Sequence, residues 1–321
     1  MGVPGSRREQ AEAADPGSGR PRPLPLVASP VTVVLPTCDR PASLRSCLGA
    51  LSAVRGSWTI PVVVVDDGSG EPAKPGHHDH LEITILRTGE LGPAAARNVG
   101  ARAASTELIA FIDDDCEPRP DWLERLVGGV AGGAAAVGGR TASLEPGLFA
   151  TASQALLDVM ADAVNEPPGS ATFVTANNLL VRREAFLSIG GFDERFRLAA
   201  GEDRDLAERL VAAGYAVSFD PEVTVLHRHP RDARRYLSQN IRYGRGALAL
   251  VRARRARAMR RPGRGRLRLL AALLSRPVRA QGLRGLPASA VVAAGQAAHV
   301  VGFLAEAAAR PHARGRGRER G

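Results

Sequence analysis

An apolar run at residues 108–112 stops abruptly at three consecutive acids, Asp113, Asp114 and Asp115. Five unbroken apolar residues bounded by polar ones read as a strand buried on both faces. Such a strand needs a layer of structure on either side of it. The pattern recurs at residues 31–35, which run into Pro36-Thr37-Cys38-Asp39-Arg40-Pro41, and at residues 61–65, which run into Asp66-Asp67-Gly68-Ser69. Residues 82–86 and 134–138 read as further strands, with helices expected over 41–53, 92–104 and 120–130. Buried strands alternating with helices indicate an α/β sandwich with a mostly parallel sheet. The 44% hydrophobic content is enough for a core of that kind.

The strand ends carry the chemistry. Residues two apart in a strand share a side, so Asp113 and Asp115 are expected to converge while Asp114 points away. Two hard oxygen ligands suit Mg²⁺ or Mn²⁺; a solvated acidic turn is the plainer alternative. Open α/β sheets bind ligands outside the carboxyl ends of their strands. Asp67 could there bond a ribose or a base edge, although a turn explains Asp67-Gly68 as well. Asp39 or Thr37 is expected to cap the first helix. Arg97 is the residue of the next helix able to reach a phosphate, and a surface arginine is its bland reading.

The second half is less regular. Residues 143–169 give weak helical signals and a Pro-Pro-Gly break at 167–169. Residues 173–181 are strand-like and carry Asn177 and Asn178, and a helix over 183–189 stops at Gly190-Gly191. Glu202 and Asp203 open another helix, where acids favour the helix dipole. Two short strands, 216–219 and 223–226, lead to His227 and His229.

Taken together, the segments at 36–41, 63–69, 92–100, 111–115, 190–196 and 201–210 and the late Leu-His-Arg-His resemble family 2 glycosyltransferases of the GT-A fold. The resemblance spans residues 31–229. It implies a nucleotide-binding half fused to an acceptor-binding half. Pro36, Thr37, Asp39, Arg40, Asp67, Arg97, Asp113, Asp114 and Asn177 would then lie on the nucleotide-sugar donor. Asp113, Asp115 and His227 would hold a divalent cation, Mn²⁺ or Mg²⁺, with His229 competing for the last position. Asp203, with Glu202 beside it, would be the general base of an inverting transfer, and Asn177 and Asn178 would sit beside sugar or acceptor. The membrane-embedded processive relatives carry Gln-x-x-Arg-Trp on an interfacial helix. This chain has no such sequence, so one transfer or a few is expected rather than polymer synthesis.

The net charge of +10 hides an asymmetry. Residues 231–321 carry 22 arginines and 3 acids, whereas residues 1–230 carry 30 acids and 21 bases. An acidic body with a basic extension is a two-part design. The expected division is a disordered leader at 1–30, the transferase domain at 31–230, a basic amphipathic helical extension at 231–308 and a disordered Arg-rich tail at 309–321. Residues 252–268 read as a solvated basic face or linker. Interfacial helices flanked by arginine suit an anionic membrane surface and a lipid-linked, glycan or small-molecule acceptor.

Three cysteines without metal-ligand spacing fit a reducing, cytoplasmic setting, and the basic helices suggest a peripheral position at the inner face of the plasma membrane. A nucleotidyltransferase would need a Gly-rich phosphate loop that residues 36–41 do not provide. Nucleic-acid binding would use the arginines, but with 4% aromatic residues there is no stacking platform.

Overall fold

The computed structural model describes residues 27–309, apart from 57, 166–170 and 260–265. Most of the expected leader, the Pro-Pro-Gly break and nearly all of the Arg-rich tail therefore lie outside the described residues. The first half runs β1 (Val27–Ala28), β2 (Val31–Thr37), α1 (Pro41–Ser52), β3 (Trp58–Asp67), β4 (Leu81–Thr88), α2 (Pro93–Ala103), β5 (Leu108–Phe111), β6 (Cys116–Pro118) and α3 (Trp122–Ala131). The second half runs β7 (Ala136–Ser143), α4 (Leu148–Val164), β8 (Leu179–Arg182), α5 (Arg183–Ser188), α6 (Glu202–Ala212), β9 (Val217–His227), α7 (Ala233–Ala256), α8 (Arg266–Gln281) and α9 (Leu286–Ala308). The end of the expected leader is structured, because β1 pairs in parallel with β3.

The strands form one mixed sheet in the order β1-β3-β2-β5-β8-β7-β9-β6, with β4 also on β3. β4, β3, β2 and β5 are parallel, and β8 enters antiparallel to β5. Side chains alternate between two cores. Val33 and Leu35 point to the face covered by α1 and α3, with Leu48 and Leu126; Val34 points to the face covered by α2, α5 and α6, with Phe186 and Leu206. On the second face Phe111, Phe186 and Phe192 pack with ring centroids 5.2–5.6 Å apart. The small residues of α2 have a reason: a Cβ on Gly100 would stand 2.4 Å from Val34 Cγ1.

The chain leaves β2 toward β3 on one side and later returns as β5 on the other. Ligand crevices of α/β sheets open at that reversal, between the carboxyl ends of the two strands. Thr37 ends β2 and the three acids follow β5, so the fold directs both to one crevice.

Several local expectations are corrected. β5 ends at Phe111, and Asp114 and Asp115 occupy a turn before β6, so strand alternation does not govern the acids. α1 has Arg40 at its N-cap and no side-chain cap, with proline opening the first turn instead. α4 is a 17-residue helix where only weak signals were read, and of residues 173–181 only the end from Leu179 pairs in the sheet. The two short strands near residue 220 are the single β9, irregular opposite Gly139 and Arg140.

The C-terminal helices pack with α4 around Ala155, Val159, Tyr236, Leu273 and Val292. The basic run is not simply solvated. Arg254 is 9% exposed and grips Glu208 of α6 (Nε–Oε2 2.7 Å), and Arg257 pairs with Asp193 and Asp205. These arginines clamp α7 to the body.

Candidate active site

At the carboxyl end of β2, Thr37 donates its hydroxyl to Asp114 Oδ2 at 2.7 Å. Arg40 Nη1 donates to Asp114 Oδ1 at 3.1 Å and to Asp115 Oδ2 at 2.9 Å. Asp114 is thus turned inward and holds the ends of β2 and β5 together. Burial raises its carboxyl to about 6, against the opposing pull of Arg40.

Arg97 is 2% exposed and bridges two distant segments. Its Nη2 donates to Asp113 Oδ1 at 2.6 Å and its Nη1 to Glu202 Oε1 at 2.9 Å, while its Cζ lies 5.6 Å from the Phe192 ring centroid. The bland reading of Arg97 as a surface residue is thereby excluded. Burial raises Glu202 to about 7, with Asp203 adding to the rise and Arg97 opposing it. Glu202 Oε2 is buried without a partner. Asp203 accepts from the Arg204 backbone N–H at 2.7 Å, and burial raises its carboxyl as well. The first turn of α6 therefore holds two carboxylates that burial raises above their ordinary range, Glu202 being joined through Arg97 to Asp113 after β5.

The loops after β2 and β3 are tied to each other. Asp39, at φ 53°, donates its N–H to Ser69 Oγ and accepts from Gly70 N–H, both at 2.9 Å. Asp66 accepts from Ser69 and Ala73 N–H, and Asp67 accepts from Thr88 Oγ1 and from Leu91 and Gly92 N–H at 2.7–2.8 Å. Position 68 takes glycine twice over: its φ is 87°, and a Cβ would meet the Glu90 backbone N at 2.8 Å. Asp67 therefore anchors the approach to α2. Pro36 is partly covered in β2, pairing with Val65.

His227 closes the opposite wall. Its Nε2 lies 3.4 Å from Asp115 Oδ1 and its Nδ1 lies 3.1 Å from Nδ1 of His229. Burial alone would raise Asp115, yet the hydrogen bond and charge of His227 hold it at about 2. Burial would lower His227, and Asp115 reverses that to a net rise. His229 is pushed down to about 3 by burial and then by His227.

Among the described residues, ligand atoms of Asp115, Cys116 and His227 lie within 4.8 Å of one another. The carboxylate and imidazole fit a hard or borderline divalent cation. Burial pushes the Cys116 thiol well up, and a soft sulfur ligand suits Mn²⁺ or Mg²⁺ less than the carboxylate and imidazole do. Asp113, expected to complete the set, is outside this group and is held by Arg97.

Asn177 Oδ1 accepts from Thr141 Oγ1 at 3.1 Å. Asn178, expected beside the sugar, is spent inside the core: it accepts from Trp122 Nε1 and donates to the Arg140 and Val223 carbonyls. Sequence reading missed Gln154, which meets His229, and Tyr243 of α7, whose phenol is raised by burial and then by the charge of Asp203. A signal for Tyr243 was present, because Gln239-x-x-Arg242-Tyr243 differs from Gln-x-x-Arg-Trp only in its last residue.

Residues 32–190 match the sequence family described as Glycosyl transferase family 2, and residues 144–243 match Glycosyltransferase like family 2. The pre-mycofactocin glycosyltransferase of Mycobacterium tuberculosis is 34% identical over 231 residues, 69% of this chain and 47% of that protein. Glycosyltransferase AglE of Haloferax volcanii is 30% identical over 230 residues, 68% of this chain and 73% of that protein. The chain thus spans about half the length of the first of these relatives. Among solved structures, the mannosyltransferase PcManGT from Pyrobaculum calidifontis, in complex with GDP-Man and Mn²⁺, superposes with a TM-score of 0.55 at 21% identity, covering 87% of this chain and 79% of that one. That likeness shows the fold, which is the GT-A type expected from the sequence.

Proposed function

The chain belongs to the family 2 glycosyltransferases, and from that premise we propose that it moves one sugar, with inversion, from a nucleoside diphosphate to a hydroxyl acceptor. The observation that carries this reading is the fork of Arg97, which ties the acids after β5 to the acid pair opening α6. Donor side and base side are thereby held in one crevice. Among the described residues, five carboxylates (Asp113, Asp114, Asp115, Glu202 and Asp203) gather there against the guanidinium groups of Arg40, Arg97 and Arg204 and the imidazole of His227. Such an excess of negative charge favours a divalent cation between acids and diphosphate.

In this mechanism Asp203 takes the proton of the acceptor hydroxyl as that oxygen bonds to the anomeric carbon. The bond from that carbon to the diphosphate oxygen breaks, and its electron pair leaves with the nucleoside diphosphate. Glu202 positions Arg97, and Arg97 steadies Asp113. Asp115 and His227 would hold Mn²⁺ or Mg²⁺, which when bound neutralises charge on the diphosphate. Pro36, Thr37, Asp39, Arg40 and Asp67 shape the nucleoside side, Asp114 fixes Arg40 and Thr37, and Asn177 lies toward the sugar. Residues 31–230 form the catalytic unit in this reading, and 231–308 the extension.

The acceptor is read as a cell-envelope or lipid-linked glycan or a small metabolite, approached at an anionic membrane surface. Support comes from α9, whose positions Leu286, Ala290, Ala293, Ala297, Val300 and Leu304 are all exposed and apolar. The helical stretch Leu267–Ala308 is long and apolar enough to cross a membrane, with 22% of its most apolar window buried. Exposed Arg268, Arg279 and Arg284 in its first half favour lying on an anionic surface.

The test is donor binding and hydrolysis across nucleotide sugars, GDP-mannose among them, with Mn²⁺, Mg²⁺ or chelator. Asp115→Asn is expected to weaken metal-dependent binding of the donor. Asp203→Asn is expected to keep binding and lower turnover by about 10²–10⁴-fold. Failure of every nucleotide sugar to bind with metal present would overturn the proposal.

A further inference from the structure

His227 can turn only one ring nitrogen to Asp115, and it turns Nε2; its Nδ1 faces Nδ1 of His229 at 3.1 Å. Two nitrogens at that distance share one proton, and the surroundings of His229 decide which ring carries it. Gln154 of α4 donates its amide N–H groups to the Thr141 carbonyl at 2.8 Å and to Asp158 Oδ1 at 2.9 Å. Asp158 is in turn fixed by Arg140 at 3.1 Å and by Arg276 of α8 at 3.3 Å. Reversing the Gln154 amide would set its oxygen against two acceptors. Its Oε1 is therefore held 3.1 Å from His229 Nε2, and must accept a proton from it. His229 then presents a bare Nδ1, and His227 carries its own proton on Nδ1.

We propose that Gln154 and His229 are positioning residues that fix the tautomer of His227, leaving its Nε2 lone pair beside the Asp115 carboxylate as a ready nitrogen–oxygen pair for a divalent cation. The proposal rests on the reading of Asp115 and His227 as the cation site. Outer partners of this kind orient metal-binding histidines and commonly change affinity by about 10–100-fold. Through Arg276 and Asp158 α8 also supports the cleft, since it supplies one of the two cations that pin the chain of hydrogen bonds.

The test uses the full chain and Mn²⁺ alone, with free Mn²⁺ followed by electron paramagnetic resonance. His227→Ala should abolish binding. His229→Leu and Gln154→Leu should each weaken it by about 10–100-fold. His229→Asn, whose amide oxygen can take the place of Nδ1, should recover most of the loss. Circular dichroism melts check that each variant folds.

A second readout is the ¹⁵N spectrum of the metal-free wild type with ¹⁵N-labelled histidine, taken where His227 is neutral. His227 should be protonated at Nδ1 and His229 at Nε2. Wild-type Mn²⁺ affinity in folded His229→Leu overturns the relay, as does a neutral His227 that carries its proton on Nε2 in the wild type, which needs no variant to fold. Unchanged binding in His227→Ala would instead overturn the cation site on which the relay depends.

Discussion

α2 and α9 are both alanine-rich helices that open with proline and approach a neighbour through glycine, yet they lie in opposite surroundings. α2 is enclosed: Ala94 to Asn98, Gly100 and Ala101 are buried, and its one buried cation, Arg97, is satisfied by two acids. α9 meets α7 through Gly295 and Gly302, where a Cβ would strike Tyr236 Oη at 2.4 Å and the Ile241 carbonyl at 2.0 Å. Its polar residues Gln296, His299 and Glu306 are half-buried, Glu306 against Arg245 at 2.9 Å, and its apolar face looks out, with Val301 56% and Leu304 60% exposed. Small residues therefore tell how closely a helix packs on one side. They say nothing of what covers the other.

The strongest way to break the contrast is Arg97→Leu. It leaves Glu202 and Asp113 without their cation, and breaking a buried pair typically costs about 3–5 kcal/mol. Urea unfolding should show that loss together with loss of donor binding; a folded, donor-binding variant would show that α2 is no more than packing. Next come the glycines. Gly100→Val should destabilise the protein by about 1–3 kcal/mol through overpacking on Val34 and Val65. Gly302→Val should loosen α9 while sparing Mn²⁺ binding, and equal damage to the cation site would erase the distinction between the two helices.

Val300→Asp with Leu304→Asp should change unfolding free energy by only about 0.5 kcal/mol per site. Sedimentation with anionic vesicles should nevertheless fall at least tenfold, since each buried side chain is worth about 1.5–3 kcal/mol. A large stability loss instead would mean that the outward face is covered within the protein.

The last effect is in pH. Glu202 titrates at about 7 in the fold, against an ordinary 4.5. The folded state thus holds a proton that the unfolded chain has released, and the stability this gives is full below 4.5 and lost as pH rises through 7. Stability of the wild type relative to Glu202→Gln should decline from pH 5 to 8 by about 2–3 kcal/mol. A flat difference would show that Arg97 keeps Glu202 ionised throughout.

Much of the body was legible because buried parallel strands write themselves as unbroken apolar runs. β2, β3 and β5 appear where those runs stand, and the polar residues that end them mark the crevice. What periodicity could not show was anything decided by contacts between segments. Asp113 and Asp115 were expected to share a strand face, but the strand stops at Phe111 and Arg40, Arg97 and His227 sort the acids individually. Asn178 looked like a ligand residue until Trp122 and two carbonyls claimed it. Arg254 looked solvated until α6 supplied Glu208. Gln154 carried no signal, since an amide inside a helix acquires meaning only from what it touches.

The irregularity in β9 has a consequence of its own. Gly139 pairs with Asp220 and the next residue, Arg140, with Thr224, so β9 spends three residues that β7 does not match. From Thr224 onward, which side chain reaches the cleft is a matter of odd and even. One residue fewer in that detour would bring Arg228 into the slot of His227, and one more would bring Leu226. A guanidinium or a methyl-tipped chain would then stand where the imidazole faces Asp115. The capacity to hold a cation is thus set by a count of residues as much as by their kind, and a single-codon insertion far from the acids could switch it off without touching one of them.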